Sequence, residues 1–284
     1  MTQQDFLSAW ARVKRGHDYR SVGEIGIYTL PAFAKQTGIS HGFSARTGGV
    51  STGSLASLNL SFNRPGEPRE TVMENYRLFC NAAGIPEDSM VMDTYEHGAT
   101  VLTVDRNDQG KGWTRPSLPP CDGIITNDPS VTLMTGHADC MAFYAYDPIH
   151  RAIGLAHAGW RGALGRIGSV MVGEMTRAFG SEPTELMAGV GPSICPNCFE
   201  VGGDVAETFA DAFPDLPCII LPHSERGKAH VNLWMVAVCQ FLEAGLRPER
   251  ISLSEVCTYE DDRLYSHRRD KGDTGGMTAF LRLK

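Results

Sequence analysis

Cys140 and His157 stand on either side of the turn-like stretch Asp147-Pro-Ile-His150. Proline at the second position of that stretch suits a β-turn. If the turn closes a hairpin, the apolar runs Met141–Tyr146 and Arg151–His157 pair so that Tyr146 faces Arg151, Tyr144 faces Ile153 and Cys140 faces His157. Directly opposite residues share one face of a sheet with Cβ atoms roughly 4.5–5.5 Å apart. At that separation a thiolate and an imidazole can grip one ion, or act as nucleophile and base. A one-residue slip would send the two side chains to opposite faces. His97, in Tyr95-Glu-His-Gly-Ala-Thr, is a third candidate. Two histidines and a cysteine leave the fourth position of a tetrahedral zinc ion for water or substrate, as a catalytic site requires.

The residues around the pair carry further chemistry. Gly136-His-Ala-Asp-Cys140 ends one arm, and His157-Ala-Gly-Trp-Arg-Gly162 ends the other and opens a helix. Small residues let the backbone approach a ligand, and Arg161 at a helix start suits an anion. Ser44-Ala-Arg46-Thr-Gly-Gly is a glycine-rich loop in which Arg46 and backbone N–H groups can meet a phosphate or carboxylate. Cys195-Pro-Asn-Cys198 has the spacing of a redox or zinc motif, but no second C-x-x-C completes it. It therefore reads as structural or incidental thiols. Ser266-His-Arg-Arg-Asp270 is a small basic cluster whose charge alone reads as a solvated run.

These groups need a scaffold. Short apolar runs around Val91, Val101-Leu102, Ile124-Ile125, Val131–Met134 and Leu186–Val190 are bounded by turn residues and predict strands; Glu24–Leu30 and Ile251–Thr258 are further strand-like runs. Glu70–Ala83 carries Val72, Met73, Tyr76, Phe79 and Cys80 on one helical face, with Gly84 as its stop. Gly162–Phe179 reads as one amphipathic helix, and Asp204–Phe213 and Asn232–Ala244 as two more. Strands and helices alternate with hairpins mixed in. The fold class is therefore α/β of the mixed α+β kind, a single layered domain over residues 1–284 with mixed sheets and residues 1–40 as a peripheral segment.

The 284 residues are 42% hydrophobic and 21% charged, a composition that excludes collagen-like, disordered and coiled-coil classes. No apolar run approaches the roughly 20 residues of a membrane helix, and the start shows no basic and apolar leader pattern. A net charge of −7 disfavours nucleic acid and anionic membrane as partners. Eight scattered cysteines read as cytoplasmic thiols or ligands rather than a disulfide frame.

Taken together, His41-Gly-Phe-Ser-x-Arg-x-Gly-Gly-Val-Ser, Ser57-Leu-Asn-Leu60, His97-Gly, Cys121-Asp-Gly-Ile-Ile-Thr-Asn-Asp, Ala138-Asp-Cys140, His157-Ala-Gly-Trp-Arg-Gly, Gly191-Pro-Ser-Ile, Cys198-Phe-Glu-Val-Gly202, Cys257-Thr and Ser266-x-Arg-Arg-Asp270 resemble the YfiH-like laccase-domain family. Its members were first classed as multicopper polyphenol oxidoreductases and are now regarded as purine nucleoside phosphorylases. The likeness runs from about His41 to Met277. It implies zinc at His97, Cys140 and His157, and phosphorolysis of adenosine, inosine, guanosine and methylthioadenosine with deamination of adenosine. On that reading purine nucleosides and phosphate are the small-molecule partners. Arg46 holds phosphate, with Arg161 or Arg268 as further cations. Asp139 or Asp122 meets the leaving purine, and Asn59 counts among the substrate contacts. The chain departs from the family pattern at Tyr95-Glu96, where a glutamine is usual, at His137 in place of threonine, and at Gly276. The fold also resembles the catalytic domain of necrotizing-factor toxins, so a metal-free Cys140–His157 hydrolase or amidase is the alternative. Copper is a weaker option: a multicopper centre needs about ten histidines, mostly in His-x-His pairs, and this chain has nine with no such pair.

Overall fold

The run Met141–Asp147 is buried at every position, and so is Ala152–Ala158. Strands that lack a wet face lie in the middle of a layered structure. The alternation along them shows what covers each side. Phe143, Ala145, Ala156 and Ala158 join an apolar cluster with helical residues such as Ile167, Met171, Val236 and Phe241. Ala142, Tyr144, Ile153 and Leu155 join a different cluster with Phe43, Leu133 and Ala279 from another sheet. The period of two in a strand makes this division.

The computed structural model describes residues 1–284. Its strands are β1 (Lys14–Arg15), β2 (Asp18–Val22), β3 (Ile25–Thr29), β4 (Ile39–Ser44), β5 (Met90–Met92), β6 (Val101–Thr103), β7 (Gly123–Thr126), β8 (Thr132–His137), β9 (Met141–Asp147), β10 (Ala152–Ala158), β11 (Met187–Val190), β12 (Glu200–Gly202), β13 (Ile220–Pro222), β14 (Lys228–Val231), β15 (Ile251–Leu253) and β16 (Met277–Leu283). Its helices are α1 (Gln3–Trp10), α2 (Pro31–Ala34), α3 (Arg69–Ala83), α4 (Trp160–Leu164), α5 (Ile167–Phe179), α6 (Gly203–Ala212) and α7 (Leu233–Glu243). A seven-stranded sheet has the order β1-β15-β11-β9-β10-β7-β6, a six-stranded sheet β2-β3-β4-β16-β8-β5, and a small sheet β12-β14-β13. Both large sheets mix parallel with antiparallel pairs. Helices α5 and α7 cover the seven-stranded sheet. The six-stranded sheet packs on its other face, and α3 closes the far side through Val72, Tyr76 and Phe79 against Ile27, Met134 and Phe280. The result is a helix–sheet–sheet–helix sandwich in one mixed α/β domain.

Several sequence expectations change. The β9–β10 hairpin sits two residues away from the predicted register: Tyr144 pairs with Leu155, Tyr146 with Ile153 and Ala142 with His157. Asp147 explains the shift. Its carboxylate accepts the N–H groups of Ile149 and His150 and the His150 ring. Arg151 then turns with a positive φ of 51°, so the loop spans four residues rather than two. The predicted helix Gly162–Phe179 is two helices, α4 and α5, broken at Gly165–Arg166, where Arg166 takes a left-handed φ of 57°. The C-terminal strand β16, absent from the sequence reading, runs through the six-stranded sheet between β4 and β8. The first forty residues supply edge strands to both large sheets and bury Phe6 and Phe33 completely. No helix is long and apolar enough to cross a membrane.

Candidate active site

The two large sheets part at the ends of β8, β9 and β10, and the chain crosses that mouth. Strand β5 belongs to the six-stranded sheet and β6 to the seven-stranded one. The connection between them, residues 93–100, carries His97 over the opening. His157 shares a strand face with Ile153 and Leu155, so it points into the space between the sheets. Cys140 precedes β9 and lies on the same side as Ala142, the residue opposite His157. The register shift is by two residues, an even number, so it moves Cys140 to a diagonal position without changing its face. Ligating atoms of His97, Cys140 and His157 all lie within 4.8 Å of one another.

The surroundings hold these side chains in place. Tyr95, His97 and Asp139 all take positive φ values, 37°, 62° and 85°. Strain of this kind persists only where neighbours over-determine it. At Asp139 the neighbours are Thr258, whose hydroxyl donates to Oδ1 at 2.6 Å, and the Arg268 backbone N–H, which donates to Oδ2 at 2.7 Å. Gly98 N–H donates to Asp122 Oδ2 at 3.0 Å. The other Asp122 oxygen lies 3.9 Å from His157 Nδ1, and neither atom has another partner. The carboxylate thus faces the imidazole beyond hydrogen-bond distance, on the side where metal-binding histidines commonly have an acidic neighbour. His137 turns its Nδ1 to the Cys140 carbonyl at 3.1 Å and its Nε2 to the Thr135 hydroxyl at 2.8 Å. Burial holds His137 well below its ordinary pKa, so it stays neutral, donating from one nitrogen and accepting at the other.

The donor set fits a metal ion. A Cβ placed on Gly159 would come 3.1 Å from His97 Cδ2, 3.3 Å from Cys140 Sγ and 3.6 Å from His157 Cε1. Only a residue without a side chain lets the three groups close up there. Burial pushes the Cys140 thiol up to about 12 and lowers His157 below its ordinary value. Both shifts disfavour a thiolate–imidazolium pair, whereas a divalent cation would stabilise the thiolate.

The cluster lies on the wall of a cavity of about 890 Å³, within the roughly 300–1,000 Å³ of small-ligand sites. Arg161, Arg268 and Asp139 also line it. Arg46 and Asn59 do not. The Arg46 guanidinium donates twice to the Ala56 carbonyl, at 2.9 and 2.6 Å, and lies over the Tyr265 ring. It braces the glycine-rich loop, so the expectation that it meets phosphate does not match its position. Asn59 is fully buried and bonds to Ser61 and Gly276, pinning two segments of the wall from behind. Gly276 touches Ser61 so closely that a Cβ would meet it at 2.6 Å. Glu96 is exposed at the cavity rim.

Asp93 and Arg64 are among the lining residues that the sequence reading did not single out. Asp93 is buried with one carboxylate oxygen unpartnered, and burial together with Asp122 raises its pKa well above the usual carboxylate range. Arg64 donates to the Gly275 carbonyl, and its buried Nε has no partner. A charged residue four positions before His97 was the signal for the first; nothing in the pattern marked the second. Cys195 and Cys198 lie outside the cavity, behind the wall formed by Ile194 and Phe199.

A family model described as multi-copper polyphenol oxidoreductase laccase matches residues 40–284. The chain is 36% identical over 250 residues to a purine nucleoside phosphorylase of Deinococcus radiodurans, covering 88% of this chain and 91% of that one. It is 33% identical over 246 residues to the purine nucleoside phosphorylase YlmD of Bacillus subtilis, covering 86% and 88%. Among solved structures it superposes on YlmD from Geobacillus stearothermophilus with a TM-score of 0.87 at 30% identity, covering 93% and 98%. On the Bacillus licheniformis protein YfiH the TM-score is 0.84 at 28% identity, covering 94% and 99%.

Proposed function

Because the chain belongs to the YfiH-like, laccase-domain family, we propose that it is a zinc-dependent purine nucleoside phosphorylase that also deaminates adenosine. Adenosine, inosine, guanosine and methylthioadenosine are its expected substrates, with phosphate as the second reactant. The carrying observation is the convergence of His97, Cys140 and His157 on the wall of a nucleoside-sized cavity that cationic side chains also line.

His97, Cys140 and His157 would hold the ion, with the Asp122 carboxylate 3.9 Å behind the His157 ring. When bound, zinc supplies Lewis acidity and makes water a competent nucleophile near neutral pH. The chain's own groups handle the rest. In phosphorolysis a phosphate oxygen attacks C1′ as the bond to the purine breaks, and positive charge develops on the sugar. Arg161 and Arg268, which line the cavity with Arg64 and Arg69, would receive the phosphate. Arg161 lies on the Trp160 ring with no ion pair, and one Arg268 nitrogen donates to the Glu200 carbonyl. The departing purine needs a proton. Asp139 is an acceptor for Thr258 and Arg268 through both oxygens. Asp93, whose pKa burial raises and which has a free oxygen, is the better donor.

The donor set also weighs on the copper reading. The chain has two clusters of three or more ligating side chains, and only one contains histidine. His41, His137 and His150 are engaged elsewhere, with Leu30 N–H, Thr135 and Asp147. No set of histidines remains for a trinuclear copper centre. A cytoplasmic setting fits eight cysteines that form no disulfide.

The test is to incubate purified, metal-analysed protein with adenosine, with and without phosphate, and identify the products. Adenine and ribose 1-phosphate only with phosphate, and inosine in its absence, are the expected results. A protein that turns over no purine nucleoside with zinc bound refutes the proposal.

A further inference from the structure

Cys195-Pro-Asn-Cys198 has a counterpart that a search for a second C-x-x-C could not find: Cys257-Thr-Tyr-Glu260, with the same spacing and a carboxylate in the last place. The two stretches lie side by side. Ser193 and Cys257 form a parallel bridge, Ser193 N–H donates to the Val256 carbonyl at 3.1 Å, and Thr258 N–H donates to the Ser193 carbonyl at 3.2 Å. Each stretch folds back into a tight turn. Cys198 and Phe199 donate to the Cys195 carbonyl at 3.1 and 3.0 Å, and Asp261 donates to the Cys257 carbonyl at 3.0 Å. Cys195 N–H points at the Cys257 sulfur at 3.3 Å.

The ligating atoms of Cys195, Cys198, Cys257 and Glu260 all fall within 4.8 Å of one another. Glu260 Oε1 is 3.6 Å from Cys195 Sγ and 3.4 Å from Cys198 Sγ. Tetrahedral zinc with Zn–S near 2.3 Å and Zn–O near 2.1 Å separates sulfur from oxygen by about 3.6 Å. Two turns, each giving ligands three residues apart, are the usual frame of a structural zinc site. A disulfide would use two of the three thiols and give Glu260 no part.

We propose that Cys195, Cys198, Cys257 and Glu260 form a second, structural zinc site, distinct from the His97–Cys140–His157 cluster. Three thiolates and a carboxylate fill all four positions, so the ion has no open place for substrate. Binding releases the thiol protons to solvent. Its role follows from what the two turns carry. Ile194, next to Cys195, donates its N–H to the Asp139 carbonyl at 3.0 Å, and Thr258, next to Cys257, donates to the Asp139 carboxylate at 2.6 Å. An ion joining the turns therefore fixes the backbone around Asp139 and Cys140 without touching substrate.

The test is zinc content per chain in the full protein expressed with added zinc. The wild type should carry about two equivalents, and His97→Ala/His157→Ala should keep one. Cobalt in that double variant should give the intense sulfur-to-metal charge-transfer absorption of a multi-thiolate site, which Cys198→Ser should weaken. Glu260→Ala changes an exposed ligand, and should lower zinc affinity of the double variant at least tenfold. The proposal is overturned if the double variant binds neither zinc nor cobalt, or if mass spectrometry of the protein expressed with added zinc finds a Cys195–Cys257 disulfide in place of bound metal. If the first cluster holds no metal, wild type and double variant will both carry one equivalent, and the second site stands.

Discussion

Gly159→Ala puts the smallest side chain into the centre of the His97–Cys140–His157 cluster. Gly159 has φ −69° and ψ 172°, a conformation alanine adopts freely, so the backbone is not strained. It caps α4 without a side-chain bond, and Gly→Ala at such a position costs about 0.5–1 kcal/mol. The larger effect is local. The new Cβ would lie 3.1 Å from His97 Cδ2 and 3.3 Å from Cys140 Sγ, closer than ordinary carbon contacts. The ligands would have to retreat by a few tenths of an ångström, more than the roughly 0.2 Å tolerance on metal–ligand distances. Disturbances of this size around a metal typically lower affinity about 10- to 100-fold. Competition with a chromophoric zinc chelator should show that loss, and nucleoside turnover should fall at limiting zinc. Thermal unfolding of the metal-free protein should change by only a few degrees. A variant with wild-type zinc affinity and full activity would refute the claim that the three side chains close around a common ion.

Arg46→Ala should lower stability by about 1.5–3 kcal/mol, because a charged donor to the Ala56 carbonyl is lost; denaturant melts would show this, with phosphorolysis and deamination falling in parallel. Arg161→Ala and Arg268→Ala should each raise the KM for phosphate about tenfold or more, while adenosine deamination, which needs no phosphate, stays near wild type. Asp93→Asn gives a pH test: the folded-state pKa of Asp93 is raised, so the carboxyl supports stability at low pH and loses that support as pH rises above the ordinary carboxylate range. Melting temperatures should show the asparagine variant more stable than wild type near pH 7 and the difference vanishing below about pH 4. The same variant should lose most phosphorolysis.

The types of side chain at the candidate site were legible in the sequence, as were most of the elements that carry them. His97, Cys140 and His157 stand beside glycines and turn residues, and the apolar runs on either side of them read as strands. Local pattern set those features, because period and turn chemistry are properties of neighbouring residues. The register of the β9–β10 hairpin was not legible. It depends on the Asp147 carboxylate bonding to its own turn, which lengthens the loop by two residues. Parity saved the conclusion about faces: an even shift leaves Cys140 and His157 on one side. Arg46 misled because a glycine-rich loop with an arginine suits an anion equally well on any wall, and only folding shows that its guanidinium meets Ala56 and Tyr265. Asp93 and Arg64 became cavity residues through the packing of distant segments, which no local spacing encodes. Cys195-x-x-Cys198 stood as half a motif until the fold laid Cys257 and Glu260 beside it, 62 residues away in the chain. Sequence determines what chemistry each side chain can do; long-range packing decides which of them share one ion, one cavity or one proton.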